Sequence, residues 1–478
     1  MVLPALTEAT GPLFRPIKYS LFPPLGLAAL AAHLPADTEI ELVDEHVMPE
    51  VPTRDTPPQY DFVLVQSYIT NAHRAYVIAD HFREHGIRVL LGGLHATSLP
   101  EEARPHADHL FLGPGDATFP AFLADLAAGT TKATYDSRDY PRTLANAPRP
   151  RRDLIRRDLY FVPNSIVVTR GCPFRCSFCY KEAFFEGGKS FYTSAVDDAL
   201  AEISSLPGRH LYFLDDHLLG DARFSTQLFA GMRGMNRVFQ AAATIDSVVR
   251  GDLIERAVEA GLRSLFVGFE SVNAENHRAT GKVQNLRCQA ADAINRLHQL
   301  GVKINGSFVF GLDADKPDVF GRTVDWAVRH GLTTATFHIA TPYPGTKFYR
   351  DVDAQGRLLH HDWRLYDTRH AVFRPAGMTT SQLEHGYWQA YDQFYSWANV
   401  VRSAGSQLTL RRKVAHVAYA AGWKKLEPMW NGLIRLKQLA YTRPVLENIL
   451  SAGHRPLCTT RKHGTKRKPT PMPLPVVG

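Results

Sequence analysis

Two hydrophobic rhythms alternate along the chain. Short apolar or β-branched runs recur, and between them apolar residues return every three or four positions. The first rhythm marks strands buried on both faces of a sheet; the second marks amphipathic helices. From about Thr38 to Gly129 the runs are TEIELVDE, DFVLVQSY, IRVLLGG and DHLFLG. Between the second and third, AHRAYVIADHFREHG places Ala75, Ile78, Ala79 and Phe82 at helical spacing, with Gly86 as a C-terminal stop. Ser98 to Glu101 (SLPE) has the form of a capping box with proline in the first turn. This alternation predicts an α/β domain over 1–135, a doubly wound parallel sheet. Ligands of such sheets sit at the carboxyl ends of the strands. Here those ends are Gln66–Thr70, Gly92–Ala96 and Gly113–Asp116, polar or glycine-rich, as a small-cofactor domain requires.

A linker over 136–164, rich in Pro, Arg and Asp, precedes a second series. Its strands are SIVVT (Ser165–Thr169), LYFLD (Leu211–Asp215), FQAAATI, RSLFVGFE (Arg263–Glu270), KINGSFVFG (Lys303–Gly311) and TATFHIA (Thr334–Ala340). Val196, Leu200, Ile203 and Leu206 form one helical stripe, capped by Ser194; Leu286, Ala290, Ile294 and Leu297 form another, stopped by Gly301. Six β/α units are too few for a closed eight-fold barrel and predict a partial barrel over 165–348. A mainly helical region is expected over 349–460 and a disordered basic tail over 461–478. Trp363, Tyr366 and Trp388 read as core aromatics.

Composition narrows the class. The 478 residues are 45% hydrophobic and 21% charged, enough for sizeable cores. No apolar run reaches the length of a membrane span, the start has no signal-peptide pattern, and five cysteines do not make a disulfide scaffold, so a reduced cytoplasmic protein is expected. The net charge of +8 is uneven: Val401–Gly478 holds 15 Lys+Arg against 2 Asp+Glu. Nucleic acid is not expected as a partner. Arg411, Arg412, Lys413, Lys424 and Lys425 alternate with Val414, Val417, Trp423, Leu426 and Trp430. This mixture suits either a solvated helical cap or peripheral contact with an anionic membrane surface.

The candidate chemistry lies in TRGCPFRCSFCY, directly after the first strand of the second series. Cys172, Cys176 and Cys179 have the spacing C-x3-C-x2-C. A structural zinc site needs a fourth ligand, and no second cysteine pair exists. Three thiolates on a [4Fe–4S] cluster would leave one iron open to a small chelating molecule. A three-ligand zinc and plain thiols are the alternatives.

The triad at the end of the first strand of a partial barrel resembles the signature of radical S-adenosylmethionine (SAM) enzymes. GGLHATSLPEEARPHADHLFLGPGDATF is similar to the matching stretch of cobalamin-binding domains fused to such barrels. The resemblance continues through PRRDLI, FLDDH, VGFES, FGLDAD, TPYPGT and HDWRLYDTRHAVFRPAGMT, covering roughly Tyr60 to Arg402. The type includes anaerobic Mg-protoporphyrin cyclase-like proteins and the C-methyltransferases of hopanoid and antibiotic pathways. It implies that Cys172, Cys176 and Cys179 ligate the cluster and that SAM binds the open iron and is cleaved to a 5′-deoxyadenosyl radical. It also implies a Rossmann-like fold for the cobalamin domain. Asp215 or Asp216 would meet the methionine amino group of SAM, Glu270 its ribose, and Gly306 and Phe310-Gly311 its adenine. Tyr343–Thr346 would form a turn facing the same mouth. Ser67, Thr70, Gly92, Gly93, His95, Gly113 and Gly115 would line the cobalamin site. The cobalt-ligating string D-x-H-x-x-G occurs at Asp215–Gly220, but inside the barrel series, so cobalamin is expected without a protein histidine on cobalt. Gly113-Pro114-Gly115-Asp116 departs from the Gly-Glu-x-Glu usual in relatives.

These features together predict a cobalamin-dependent methyltransferase acting on an unactivated carbon of a lipid or natural product. It would draw electrons from an external donor of the flavodoxin or ferredoxin type. The rival is a cyclase or rearrangement enzyme of the same fold that transfers no methyl group. A methylthiotransferase is excluded, because no cysteine precedes Cys172 to hold a second cluster. A bare redox carrier leaves the N-terminal domain without a purpose. No catalytic side chain is singled out.

Overall fold

The structure is a computed structural model and describes residues 1–6, 17–286 and 289–452. Cys288, Cys458 and the 461–478 tail lie outside the described residues. Two parallel six-stranded sheets organise the chain. The first comprises β1 (Val2–Leu3), β2 (Val43–Asp44), β3 (Phe62–Gln66), β4 (Arg88–Gly92), β5 (His109–Leu112) and β6 (Thr134–Asp136), in the order β2-β1-β3-β4-β5-β6. Val63, Leu64 and Val65 are all buried, because helices cover both faces. The helix Ala72–Glu84 turns Ala75, Ile78, Ala79 and Phe82 inward, as their spacing requires.

Several local expectations change. Of TEIELVDE only Val43–Asp44 pairs, against β1, a strand too short to show a period. Ser98 closes the helix Leu94–Ser98 and so cannot take the extended backbone of an N-cap; the next turn starts at Pro100 after Leu99. Residues 136–164 are not a free linker: Leu144, Ile155, Leu159 and Tyr160 are buried against the body. In the second series Ala195, not Ser194, precedes the helix Val196–Ser205, and Leu286 lies exposed in a turn before the helix Ala290–Leu300.

The second sheet is the open barrel. It comprises β7 (Ser165–Ile166), β10 (His210–Phe213), β11 (Val238–Ala243), β12 (Leu262–Glu270), β13 (Lys303–Phe310) and β14 (Thr334–Ile339), in the order β14-β13-β12-β11-β10-β7. The run SIVVT splits, and its second half, β8 (Thr169–Gly171), pairs with β9 (Phe191–Thr193) as an antiparallel hairpin. Asp215 marks the split. Its Oδ1 accepts from the Val168 and Thr169 amides and from Thr169 Oγ1, drawing the chain away from β10.

The helices Trp397–Ala404, Leu410–Lys424 and Arg443–Ser451 cross the amino ends of the barrel strands. Arg412 donates to the His298 carbonyl, and Glu447 accepts from the His210 amide. The edge of β14 is covered by side chains. Tyr395 Oη accepts from Ala335 N and donates to Ala335 O, and Tyr391 Oη does the same at Phe337. An exposed edge that would template pairing with another chain is thereby closed. Tyr366 is fully buried, whereas Trp388 is 49% exposed, because Leu383, Tyr387, Ala390 and Phe394 form the inward face of its helix.

Replacing both tyrosines, Tyr391→Phe with Tyr395→Phe, removes these caps at about 1 kcal/mol each. Hydrogen-exchange mass spectrometry of the 334–339 peptide should show faster exchange; unchanged protection would mean that the hydroxyls do not hold the edge. A second expectation concerns Asp215, whose carboxyl is pushed up to about 7 by burial, against hydrogen bonds that pull it down. Folding then favours the protonated form. The stabilisation is complete below about pH 4 and is lost as pH rises through 7. Asp215→Asn keeps the acceptor oxygen but cannot titrate. Denaturant unfolding should show wild type losing more stability than the variant between pH 5.5 and 8, and equal losses would contradict the raised value.

Candidate active site

The cysteine segment follows β8 and forms no regular element until the short helix Lys181–Phe184. Its backbone is instead fastened from three sides and by one bond of its own. Cys172 N donates to Ser190 O at 3.0 Å, Ser177 N to Thr280 O at 3.0 Å, Phe348 N to Ser177 O at 3.0 Å, and Cys179 N to Cys176 O at 3.0 Å. Gly171 starts the loop at φ +75°, where a Cβ would lie 2.0 Å from Ser190 O, so only glycine permits the approach. The turn Tyr343–Thr346 faces this segment as expected. Thr346 caps the helix Lys347–Ala354, whose first amide donates to Glu182.

All three cysteines are free thiols; Cys172 and Cys176 are buried and Cys179 half-buried. Burial raises the Cys172 and Cys176 thiols, and the nearby Lys181 and Lys282 ammonium groups respectively oppose the rise. Cys179 lies within electrostatic reach of both other thiols. Among the described residues no three Cys, His, Asp or Glu side chains converge as a single-ion site. Three soft donors on one loop, flanked by cations that offset their negative charge, fit an iron–sulfur cube.

Around the thiols the structure gathers two ion pairs. Asp216 accepts from Tyr180 Oη at 2.8 Å and lies 3.4 Å from Lys181 Nζ. Glu270 pairs with Lys282, both nearly buried. Glu270 has φ +63° beside a register shift in β12, an unusual backbone for a non-glycine residue that turns its carboxylate toward the loop. Gln284 Nε2 lies 3.8 Å from Cys176 Sγ. Of the residues expected at SAM, Asp216 and Glu270 are thus beside the cysteines. Asp215 is turned into the strand ends, and Gly311 is accounted for by packing, since a Cβ there would lie 2.7 Å from Leu383. Gly306 likewise faces Leu332. His217, within the D-x-H-x-x-G string, is buried against the ring of Phe174.

The first sheet carries a cleft of about 160 Å³ at the carboxyl ends of β3, β4 and β5. Gly92, Gly93, Gly113 and Gly115 line it as expected, with walls from Leu27, Leu30, Leu64, Val65, Phe111 and Phe119. A cavity of this size and apolarity takes a flat ring, which fits the base on the nucleotide arm of cobalamin. Ser67 supports the cleft from behind, donating to Gly92 O and accepting from Ala96 N. Thr70 is not among its lining residues. His95 does not line it either; its Nε2 meets Glu102 at 2.9 Å and its ring packs on Tyr76 and Trp363, fully buried. Arg170 and Phe184, from either side of the cysteine segment, complete the cleft wall.

Sequence reading missed Arg170, Lys181, Lys282 and the pairs around them. Lys181 was visible two places after Cys179, but the other partners are brought together only by the fold. It also missed His338, inside the barrel mouth, whose Nδ1 lies 3.2 Å from Thr368 Oγ1 and whose pKa burial lowers. Thr368 holds φ +65°, a strained backbone for a β-branched residue.

Comparison with known proteins agrees with this geometry. Residues 166–352 match the radical SAM superfamily and residues 19–123 the B12 binding domain. The chain is 27% identical to bacteriochlorophyllide d C-12(1)-methyltransferase of Chlorobaculum tepidum, over 79% of this chain and 84% of that one. It is 24% identical to hopanoid C-2 methylase of Rhodopseudomonas palustris, over 76% of this chain and 71% of that one. Among solved structures, the cobalamin-dependent SAM radical enzyme OxsB with aqua-cobalamin bound superposes with a TM-score of 0.63 at 13% identity, covering 94% of this chain and 75% of that one. With a B12 binding domain and a radical SAM domain in one chain, the protein belongs to the cobalamin-binding branch of the radical SAM enzymes.

Proposed function

We propose that the protein is a C-methyltransferase that places a methyl group on an unactivated carbon of a hydrophobic natural product, of the pigment or polycyclic-lipid kind its relatives are named for. The observation that carries this reading is the shared wall: Arg170 and Phe184, which flank the cysteine segment, border the B12 cleft and set the two cofactor sites side by side. When bound, the cluster supplies one electron for cleaving SAM and cobalamin carries the methyl group. An external one-electron donor is required.

The chain's own residues supply binding and orientation. Cys172, Cys176 and Cys179 hold iron. Asp216 and Glu270 take the amino and ribose groups of SAM, Glu270 turning from Lys282 to do so. Gly92, Gly93, Gly113 and Gly115 let the nucleotide arm approach backbone, with Ser67 bracing the Gly92 strand end from behind. His338, held on one nitrogen by Thr368, presents the other to a polar group of the substrate. Product analysis with the reconstituted enzyme, a reductant and an extract of candidate lipids and pigments tests the reading. S-adenosylhomocysteine and 5′-deoxyadenosine should form together, and Cys176→Ser should abolish both. 5′-Deoxyadenosine alone, in quantity, would instead identify a ring-forming or rearranging enzyme.

We also infer peripheral contact with an anionic bilayer. No helix among the described residues is long and apolar enough to cross a membrane. Yet Trp397 (56% exposed) and Val401, and Leu410 (77%) and Val414, form i, i+4 rows on adjoining helices, beside exposed Arg402, Arg411 and Lys413. Trp423 and Trp430, in contrast, turn inward onto the barrel and Phe161. Trp397→Ser with Leu410→Ser should weaken flotation with phosphatidylglycerol-containing vesicles at least about fivefold, and equal flotation of both proteins would refute the contact.

A further inference from the structure

The joint between the two cofactor sites is built from one ion pair. Arg170 stands on β8, two residues before Cys172. Its Nε and Nη2 donate to the two carboxylate oxygens of Asp116 at 2.9 and 2.8 Å, a parallel, two-pronged arrangement. Asp116 lies in the first turn of the helix Gly115–Ala128 and, like Arg170, is itself among the residues that line the B12 cleft. Tyr192, on the partner strand β9, donates to the same carboxylate at 3.4 Å. A second arginine braces the joint: buried Arg142 donates to Ser137 Oγ and to the carbonyls of Phe185 and Glu186, just beyond the cysteines.

This joint has little slack on the iron side. Cys172 N is bonded to Ser190 O, and Gly171 is pressed against the same carbonyl. A displacement of the helix start at Asp116 therefore has to be passed to the cysteine loop or has to break the pair. The Asp116 side chain is only 13% exposed and that of Arg170 28%, so breaking it strands a desolvated carboxylate.

We propose that Arg170 and Asp116 are positioning residues that couple the two cofactor sites, so that a loaded cysteine loop and a filled B12 cleft each favour the other. The inference rests on the two cofactor sites assigned above and is independent of the fate of the methyl group. Coupling of this kind is reciprocal by linkage.

Hydroxocobalamin titration of the full-length chain, iron-free and cluster-reconstituted under anaerobic conditions, reads the coupling directly. The reconstituted wild type should bind hydroxocobalamin at least about fivefold more tightly than the iron-free chain, and Asp116→Asn should reduce that ratio below about twofold. Asp116→Glu, which restores a carboxylate, should recover part of it. In the reverse direction, hydroxocobalamin should slow iron loss to a chelator in wild type and not in Asp116→Asn. Equal affinities of the two wild-type states, or an undiminished ratio in Asp116→Asn carrying wild-type iron and circular dichroism, would overturn the coupling. Failure of both wild-type states to bind hydroxocobalamin would overturn the B12 assignment along with it.

Discussion

Three thiols that must meet one inorganic cluster sit on a single loop of eight residues, and such a loop has no ladder of its own to define it. The barrel supplies the missing definition. Its hairpin, the turn after β12 and the helix after β14 each donate or accept one backbone bond to the cysteine segment, at Ser190, Thr280 and Phe348. Asp215 holds the residues before it in place. Much of what surrounds the loop is readable as a consequence of this one requirement, from the left-handed Gly171 to the split first strand.

Charge is the second theme of the same neighbourhood. Bare carboxylates and ammonium groups in a water-poor crevice are costly unless paired. Three ion pairs lie around the thiols: Lys282 on Glu270, Lys181 on Asp216, Arg170 on Asp116. The first two pairs flank Cys176 and Cys172, and in the proposed reading both exchange partners when an anionic cluster and a cationic ligand enter. The third faces the other cofactor and has no free oxygen to exchange. Two pairs are thus suited to binding and one to holding, a division set by geometry rather than by residue type.

Much of the fold was legible because its strands are short apolar runs and its helices keep strict stripes. β3, β4, β5 and β10–β14 lie where the runs lie. What escaped has physical reasons. β1 is two residues long, so it carries no period. The inner row of the barrel is polar, with Lys303, Asn305 and Ser307 alternating with Ile304 and Phe308, which a reading of continuous hydrophobicity overlooks. At the site the three cysteines were legible from spacing, because a loop that chelates locally must be local in sequence. Asp216 and Glu270, read as strand-end carboxylates, lie near the thiols. Asp215 and Gly311 are engaged in the strand ends themselves, which carry polar and glycine residues for packing as well as for ligands. His95, placed among cleft residues by position alone, is spent on Glu102.

The open barrel explains why so much of the chain lies outside it. Six strands leave an unclosed side and an uncovered floor, and polar lumen positions such as Gln240 and Ser264 would admit water through both. The C-terminal helices close the floor: Tyr419 reaches up to Gln240 at 2.9 Å, and His416, kept neutral by burial at about 3, meets Ser403 at 2.9 Å. Trp430 and Phe161 join residues after the first sheet to those helices, so the cover is tied at both ends. A reaction that runs through a radical has to keep water from its reactive centre, and a sealed floor serves that need. The helices that seal the floor therefore turn their tryptophans in toward the barrel where they serve the seal, and leave others outside, where a second surface can meet them.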